Sequence, residues 1–194
     1  MSDRVFPQVD VRRSVACQSY RVPFSKIKLL VVHATEGTNL AGIRDLQYLG
    51  DYFNQPSTQA SSHVANDAEG NSARYVKDSR KAWHVAGFNS VALGIEQIGH
   101  TSQGKWPAAQ LHETARWLAY WSRNHGVPLH KGHVSQDGTV LIPGVVRHSD
   151  LGAAGGNHDD PGAGYDLARV LRLARDYALK QAKYEKAHGR KVHR

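Results

Sequence analysis

The sequence has little sulfur and no long apolar run. Cys17 is the only cysteine among 194 residues, so no internal disulfide can form, and we interpret it as an inert, small apolar residue. Nowhere do about 18 uncharged apolar residues follow one another, and the N-terminus lacks the charged and apolar segments of a secretory signal. These absences predict a soluble protein that is made in the cytoplasm and does not insert stably into a membrane.

Several catalytic motifs are missing as well. No HExxH segment is present, so one helix would not hold a metal, and no GxSxG segment supports a serine hydrolase. Residues 99–105 have the spacing of a phosphate-binding loop, but Trp106 occupies the position of the magnesium-binding hydroxyl, and we interpret the match as accidental. Without internal repeats or low-complexity blocks, a chain of this length predicts a single domain.

Positive charge is in excess and unevenly distributed. The net charge is +8, and residues 180–194 contribute +5 of it, with six Lys and Arg residues against one Glu. We therefore predict a catalytic-type domain at residues 1–179 and a frayed basic C-terminal extension at residues 180–194. The excess favours a polyanionic partner, which could be nucleic acid, an anionic membrane or a phosphorylated bacterial wall polymer. A solvated tail without any partner is the alternative interpretation.

Hydrophobic periodicity and turn residues predict an α/β domain. The predicted elements are a buried strand at residues 26–33, a helix from Thr38 or Asn39 to Phe53, a hairpin at 62–76, a strand at 91–98, a helix at 108–124 ending at Gly126, an irregular connection at 128–144, and a final helix beginning near Leu167. Trp117 and Trp121 lie on the apolar stripe of the second helix, which favours a core position over a functional one.

Four residues that can carry chemistry lie at or near the ends of these elements: His33, Glu96, His148 and Asp160. A catalytic zinc takes three protein ligands from nitrogen, carboxylate or thiolate donors and leaves a fourth position for water. Each residue alone has a structural interpretation, a hydrogen-bonded histidine or an aspartate that begins a turn. Together they are the residue types of a zinc amide hydrolase.

The combination matches a known family in six ordered segments over about residues 27–167. The segments are Leu30-Val-Val-His33-Ala-Thr-Glu-Gly, Ser61-Ser-His63-Val, Ala82-Trp-His84-Val-Ala-Gly87 with Asn89, Leu93-Gly-Ile-Glu96, Gly144-Val-Val-Arg-His148-Ser-Asp-Leu and His158-Asp-Asp160-Pro-Gly. In these the chain resembles the type 2 N-acetylmuramoyl-L-alanine amidases, a zinc-dependent family that includes many phage lysins and is related to the peptidoglycan recognition proteins.

The resemblance implies a single domain with a mixed central β-sheet flanked by helices and a Zn²⁺ ion at the bottom of a cleft. His33, His148 and Asp160 are the implied ligands, with Asp159 as a competing third ligand by proximity. Glu96 is the implied general base. The alternative interpretation is a strand glutamate that forms a surface salt bridge. Family members often place a lysine where this chain has His158. We therefore expect His158 to stabilise the oxyanion and later to protonate the leaving amine, with activity that falls at high pH.

A further set of residues is expected to line the groove for the glycan and its stem peptide: His63, Trp83, His84 and Asn89. Indole and imidazole rings can stack on a sugar or donate hydrogen bonds to carbonyl groups. The alternative interpretation of Trp83 is a residue of the hydrophobic core. His63 has a structural or ligand-supporting role as its alternative.

The expected function is hydrolysis of the bond between N-acetylmuramic acid and L-alanine in peptidoglycan, by a monomeric phage endolysin that reaches the wall through a holin lesion. A cytoplasmic amidase that recycles muropeptides and a non-catalytic wall-recognition module of the same fold are the alternatives. The basic tail is expected to contact anionic wall polymers. Nucleic-acid binding is not expected, because no recognised binding motif accompanies the charge.

Overall fold

The computed structural model describes residues 4–21, 26–38 and 42–189. The strands within these residues are β1 Val11–Arg12, β2 Gln18–Arg21, β3 Leu29–Ala34, β4 Val64–Asn66, β5 Ser72–Arg74, β6 Arg80–Ala82, β7 Ala92–Gln97, β8 His133–Val134, β9 Val140–Ile142 and β10 Gly144–Arg147. The α-helices are α1 Ile43–Phe53, α2 Ala108–His125 and α3 Leu167–His188, and 3₁₀ helices lie at Pro56–Thr58, Ala86–Phe88 and His148–Gly155.

The central sheet is mixed, with strand order β1-β5-β4-β7-β3-β10. Strands β4, β7, β3 and β10 run parallel, whereas β5 runs antiparallel to β4 and parallel to β1. Every residue of β3 is buried, which explains why its sequence is a continuous apolar run and not an alternating one. The predicted fold class, a mixed sheet flanked by helices, is confirmed.

Alternate residues of β3 support apolar layers on opposite faces of the sheet. Leu30 and Val32 join the cluster that packs beneath α2 and α3. Leu29 and Val31 join the other layer, with Leu151. The tryptophans at 117 and 121 are buried in the first layer, so the prediction that they belong to the core is confirmed.

Predicted boundaries hold best where capping residues are clear. Helix α2 ends at Gly126, which has a left-handed conformation with φ 74° and donates its N–H to the Ser122 carbonyl, as predicted. Helix α1 begins at Ile43 with Gly42 at its N-cap, so the prediction of Thr38 as the N-cap is wrong because Thr38 lies in the non-helical segment before the helix. The other predicted N-cap, Asn39, lies outside the described residues. The hairpin at 62–76 is confirmed by the antiparallel pairing of β4 with β5.

The prediction of an irregular connection over residues 128–144 is wrong in part. Strands β8 and β9 form a short antiparallel hairpin there. Its turn is closed by Asp137, whose carboxylate accepts hydrogen bonds from Ser135 and from the Thr139 backbone. Strands of two and three residues are too short to produce a recognisable alternation in the sequence.

Helix α3 continues through the predicted boundary between residues 179 and 180 and ends at His188. Gln181 is fully buried and donates hydrogen bonds to the Val5 and Arg116 carbonyls. Residues 180–188 are thus helical and not frayed, while the basic residues from 190 onward lie outside the described part of the chain. The functional division at 179/180 stays a prediction. Among the described residues, no helix has the length and apolar character needed to cross a bilayer.

A buried polar network joins α2 to the sheet. The Thr114 hydroxyl accepts a hydrogen bond from Asn66 at 2.8 Å and donates one to the Gln97 side-chain oxygen at 2.9 Å. Gln110 donates to the backbone carbonyls of Asn66 and Ile98. All four side chains on this network are fully buried, so each depends on its protein partners.

Thr114→Val should lower the free energy of unfolding by about 1–3 kcal/mol, because it removes the shared hydroxyl and leaves buried amide groups without that partner. Thr114→Ser is the matched control: it keeps the hydroxyl and should lose only about 1 kcal/mol for the missing methyl group. Denaturant unfolding of the three proteins measures the difference. A valine variant as stable as the parent would contradict a stabilising role for the network.

Candidate metal centre and active-site cleft

The central strands bring the predicted residues to one edge of the sheet. His33 lies near the carboxyl end of β3, and its register partner in the adjacent parallel strand β7 is Glu96. His148 directly follows β10, which pairs with β3 on the other side. Parallel strands place their carboxyl ends at the same edge, where ligand sites of α/β sheets are usually formed.

Three donor groups converge at this edge. The Nδ1 atoms of His33 and His148 are 3.0 Å apart. The Asp160 carboxylate oxygens lie 2.9 Å from His148 Nδ1 and 3.4 Å from His33 Nδ1. The three residues are buried, and one ligand atom from each lies within 4.8 Å of the others. The structure therefore brings the three predicted zinc ligands together.

The surrounding backbone fixes two of these ligands. His148 Nε2 lies 2.9 Å from the Gly155 carbonyl oxygen, which can only accept a hydrogen bond. Nε2 therefore carries a proton, which leaves Nδ1 as the ring atom that can face a metal ion. Asp160 accepts a hydrogen bond from the Ala34 N–H at 3.0 Å. This donor set, two imidazole nitrogens and one carboxylate, fits zinc.

The Asp-Pro-Gly turn has a steric reason for its glycine. Gly162 has φ 87°, and a Cβ atom there would lie 2.2 Å from the Thr101 carbonyl oxygen. Only glycine allows this close backbone approach. The turn is also tied to the 3₁₀ segment after β10, since the Ser149 N–H donates to the Asp160 carbonyl at 3.0 Å. Asp160 and His148 are thereby fixed relative to each other.

His33 is held from its outer side by a third histidine. His33 Nε2 lies 2.9 Å from His84 Nδ1, and the two rings meet edge to face. The loop that carries His84 is closed by Asn89, whose side-chain oxygen accepts hydrogen bonds from the N–H groups of His84 and Val85. His84 packs directly over Gly94, where an added Cβ atom would lie 2.4 Å from His84 Nδ1. Gly94 thus makes room for the His84 ring.

The electrostatics of the cluster favour neutral rings at His33 and His84 beside an ionised Asp160 carboxylate. Burial lowers the pKa of His33 to about 4, despite the nearby Asp160 carboxylate. Burial also lowers the pKa of His84 well below its usual range, and the neighbouring His33 adds to the shift. For Asp160, burial acts to raise the pKa, but hydrogen bonds from His148 and His33 hold it well below its usual range. Metal ligation requires these protonation states.

Glu96 is the one acid on β7. It is half-buried, and its Oε2 atom is buried without a hydrogen-bond partner among the described residues. Burial raises the pKa of Glu96 well above its usual range, and the negative charges of Asp160 and Glu36 raise it further. A carboxyl group with a raised pKa beside a ligand cluster has the property expected of a proton-transfer group.

A cleft of about 460 Å³ opens over the ligand cluster. Trp83, His84, Asn89, Glu96 and His158 contribute to its lining, with the three ligands. The His158 ring stacks on His148 at 4.1 Å between centroids, and its side chain is 56% exposed. The predicted oxyanion residue therefore lies at the open side of the cluster.

Two predicted residues lie elsewhere. His63 is fully buried and outside the cleft lining; its Nδ1 accepts from the Gly94 N–H and its Nε2 donates to the Arg80 carbonyl. This favours the structural alternative for His63, and its substrate role stays a prediction. Asp159, the competing ligand, is exposed and outside the cluster. Sequence reasoning missed the contact of His84 with His33 and the contact of Gly155 with His148, which no motif position signals.

Comparison with known proteins places the chain in a family. A sequence profile of the N-acetylmuramoyl-L-alanine amidases matches residues 23–163, well over half of the chain. The chain belongs to this family. Residues His33, Glu96, His148 and Asp160 all fall within the matched region. No curated protein sequence matches this family member.

Solved structures share the fold of this amidase-family chain. A selenomethionine derivative of AmpD is 20% identical with a TM-score of 0.65, covering 89% of this chain and 98% of that one. AmiA of Staphylococcus aureus, a hydrolase solved with its ligand, is 17% identical with a TM-score of 0.66, covering 92% and 86%. The endolysin LysCS of Clostridium intestinale is 14% identical with a TM-score of 0.63, covering 88% and 97%. At these identities the likeness shows the fold alone.

Gly94→Ala should weaken zinc binding about 10- to 100-fold, because the new methyl group displaces His84 and removes the support of His33. Competition with a chelating dye measures the zinc dissociation constant. Gly104→Ala is the matched control, since a Cβ atom there meets nothing within 4 Å. If both variants bound zinc as tightly as the parent, His84 would have no part in orienting His33.

Proposed function

We propose that this chain is a zinc-dependent amidase that hydrolyses the bond between N-acetylmuramic acid and L-alanine in bacterial peptidoglycan. His33, His148 and Asp160 hold the zinc ion. The observation that carries the proposal is the convergence of their donor atoms within 4.8 Å at the base of an open cleft, with Glu96 on the neighbouring strand. Family membership supports the choice of substrate bond.

The proposed chemistry divides between the metal and the side chains. Bound zinc lowers the pKa of a water ligand towards about 7 and polarises a carbonyl group. Glu96 accepts the proton of the attacking water and later delivers it to the nitrogen of the departing L-alanine. Burial raises the pKa of Glu96, so its carboxylate holds the proton that it accepts until the proton passes to the nitrogen.

His158 supplies a donor for the negative charge that develops on the carbonyl oxygen. Its ring stacks on His148, and its Nδ1 lies 3.8 Å from the Asp160 carboxylate. The exposed edge of the ring faces the cleft. The His158 imidazole thereby takes the role of the lysine that many family members carry at this position.

The setting that we propose is degradation of the intact wall, as by a phage endolysin. A net charge of +8 favours an anionic polymer over a small soluble fragment, because long-range attraction grows with the charge of the partner. Recycling of soluble muropeptides is the alternative. Comparing turnover on intact walls and on soluble muropeptides, at low and high salt, distinguishes the two: a wall enzyme prefers the polymer, and salt weakens the preference.

Glu96→Gln should reduce the release of stem peptide from purified wall by about 10²- to 10⁴-fold while keeping zinc, because only the proton acceptor is lost. His148→Ala should lose both zinc and activity. Zinc content by atomic emission, measured beside wall digestion, separates the two effects. His130→Ala is the control, since His130 is an exposed histidine outside the cleft. Full activity in Glu96→Gln, or in parent protein stripped by a chelator, would overturn the mechanism.

His158→Ala should lower turnover by about 10²-fold through loss of one oxyanion donor, with zinc content unchanged. His158→Lys should keep activity and extend it to higher pH, because an ammonium group stays charged to higher pH than an imidazole. The pH profiles of both variants and the parent give the readout. Undiminished turnover in His158→Ala would remove this residue from the mechanism.

A further inference from the structure

A second cavity of about 480 Å³ lies apart from the metal cluster and is lined by cations. Five of its residues are basic, and we call them together the basic groove: Arg12, Arg13, Arg74, Lys77 and Arg80. The other lining residues, Ser14, Gln18 and Tyr75, carry hydroxyl or amide groups and no negative charge. We infer that the basic groove binds a phosphodiester polymer of the bacterial wall.

The charges of the basic groove are only partly neutralised. Arg13 pairs with Asp51, and Arg74 pairs with Asp78. Among the described residues, no carboxylate pairs with the three remaining cations, and all three are exposed: Arg12, Lys77 and Arg80. A groove lined by one sign of charge focuses its field and concentrates ions of the opposite sign.

The backbone forces two of the arginines together. Strands β1 and β5 pair in parallel with Arg12 and Arg74 as register partners, so the two residues lie side by side on adjacent strands. Like charges at such positions destabilise a sheet. Arg74 turns towards Asp78 and the Trp117 ring, which leaves Arg12 facing the cavity without a counter-ion among the described residues. An anion bound in the groove relieves this repulsion.

The basic groove adjoins the cleft of the metal centre. The ring of Phe53 lines the cleft, and the ring of Tyr75 lines the groove; the two meet edge to face at 5.4 Å between centroids. Strand β6 connects the same two cavities, because it begins at Arg80 in the groove and leads directly into Trp83 in the cleft. Three residues of strand span about 10 Å. The groove and the cleft are therefore neighbouring cavities.

The chemistry of the groove selects phosphate. Arginine offers a planar fork of N–H donors that matches phosphate oxygens, and lysine adds a compact charge. Several cations in an open groove suit a chain of repeating phosphodiesters better than a single small anion. Because the groove adjoins the proposed peptidoglycan cleft, the polymer it fits best is one attached to the same wall. The choice of a wall polymer rests on the proposed function; the anion site itself does not.

The test compares three full-length proteins: the parent, Arg12→Gln/Lys77→Gln/Arg80→Gln, and a control of equal charge change, Lys28→Gln/Lys105→Gln/Arg172→Gln. The control residues are exposed cations outside the groove. Binding is measured on walls that carry phosphodiester polymers, on the same walls after acid removal of those polymers, and on soluble poly(glycerol phosphate). Release of stem peptide from a polymer-free soluble fragment reports separately on the cleft.

The groove variant should bind polymer-bearing walls and poly(glycerol phosphate) at least about tenfold more weakly than the parent, and the control variant should match the parent more closely. On stripped walls the three proteins should be alike, and all should cleave the soluble fragment equally. Equal losses in both variants would show a net-charge effect and overturn the site. Unchanged binding of polymer-bearing walls by the groove variant would overturn the wall polymer as ligand. Failure of cleavage in all three proteins would reject the proposed amidase and leave the polymer result standing.

Discussion

The site depends on holding two imidazole lone pairs and a carboxylate against one another in a buried position. His33, His148 and Asp160 come from distant parts of the chain, yet their donor atoms lie within 4.8 Å. Burial of an ionised carboxylate is costly unless it is paired. Hydrogen bonds from the histidines and from the Ala34 backbone meet this requirement for Asp160. A cation bound between the three side chains would balance the buried charge of Asp160 more fully, so this arrangement favours a metal ion.

Rigid neighbours maintain the cluster. Parallel pairing of β3 with β7 and β10 fixes the positions of His33, Glu96 and the start of the segment that holds His148. The outer nitrogens of the two histidines are then bound by His84 and by the Gly155 carbonyl. Such outer contacts set the orientation and tautomer of an imidazole ring, so the rings of His33 and His148 are positioned without a metal ion. The geometry of the cluster is therefore fixed by the sheet together with the hydrogen-bonded loops that carry His84 and Asp160.

The sequence predicted those features that leave a local pattern. A continuous apolar run identified β3, and Gly126 marked the end of α2, since both signals arise within a few residues. The ligand set came from ordered family segments, because spacing alone left each histidine ambiguous. The short hairpin of β8 and β9, the support of His33 by His84 and the grouping of arginines in the basic groove were not predicted. Each of these features depends on contacts between distant segments. The composition showed only an excess of positive charge, most of which lies in residues 180–194.

The position of His158 shows how one substitution can be accommodated by its surroundings. A lysine side chain would reach the cleft as a flexible chain, whereas the planar ring of His158 stacks on His148 with only 17° between their planes. The stacked ring covers one face of a ligand that is itself 5% exposed. Packing thereby fixes the orientation of the His158 ring, whose Nδ1 atom lies 3.8 Å from the Asp160 carboxylate. The rings of His158 and His148 therefore support each other, so a change at either position affects the orientation of both.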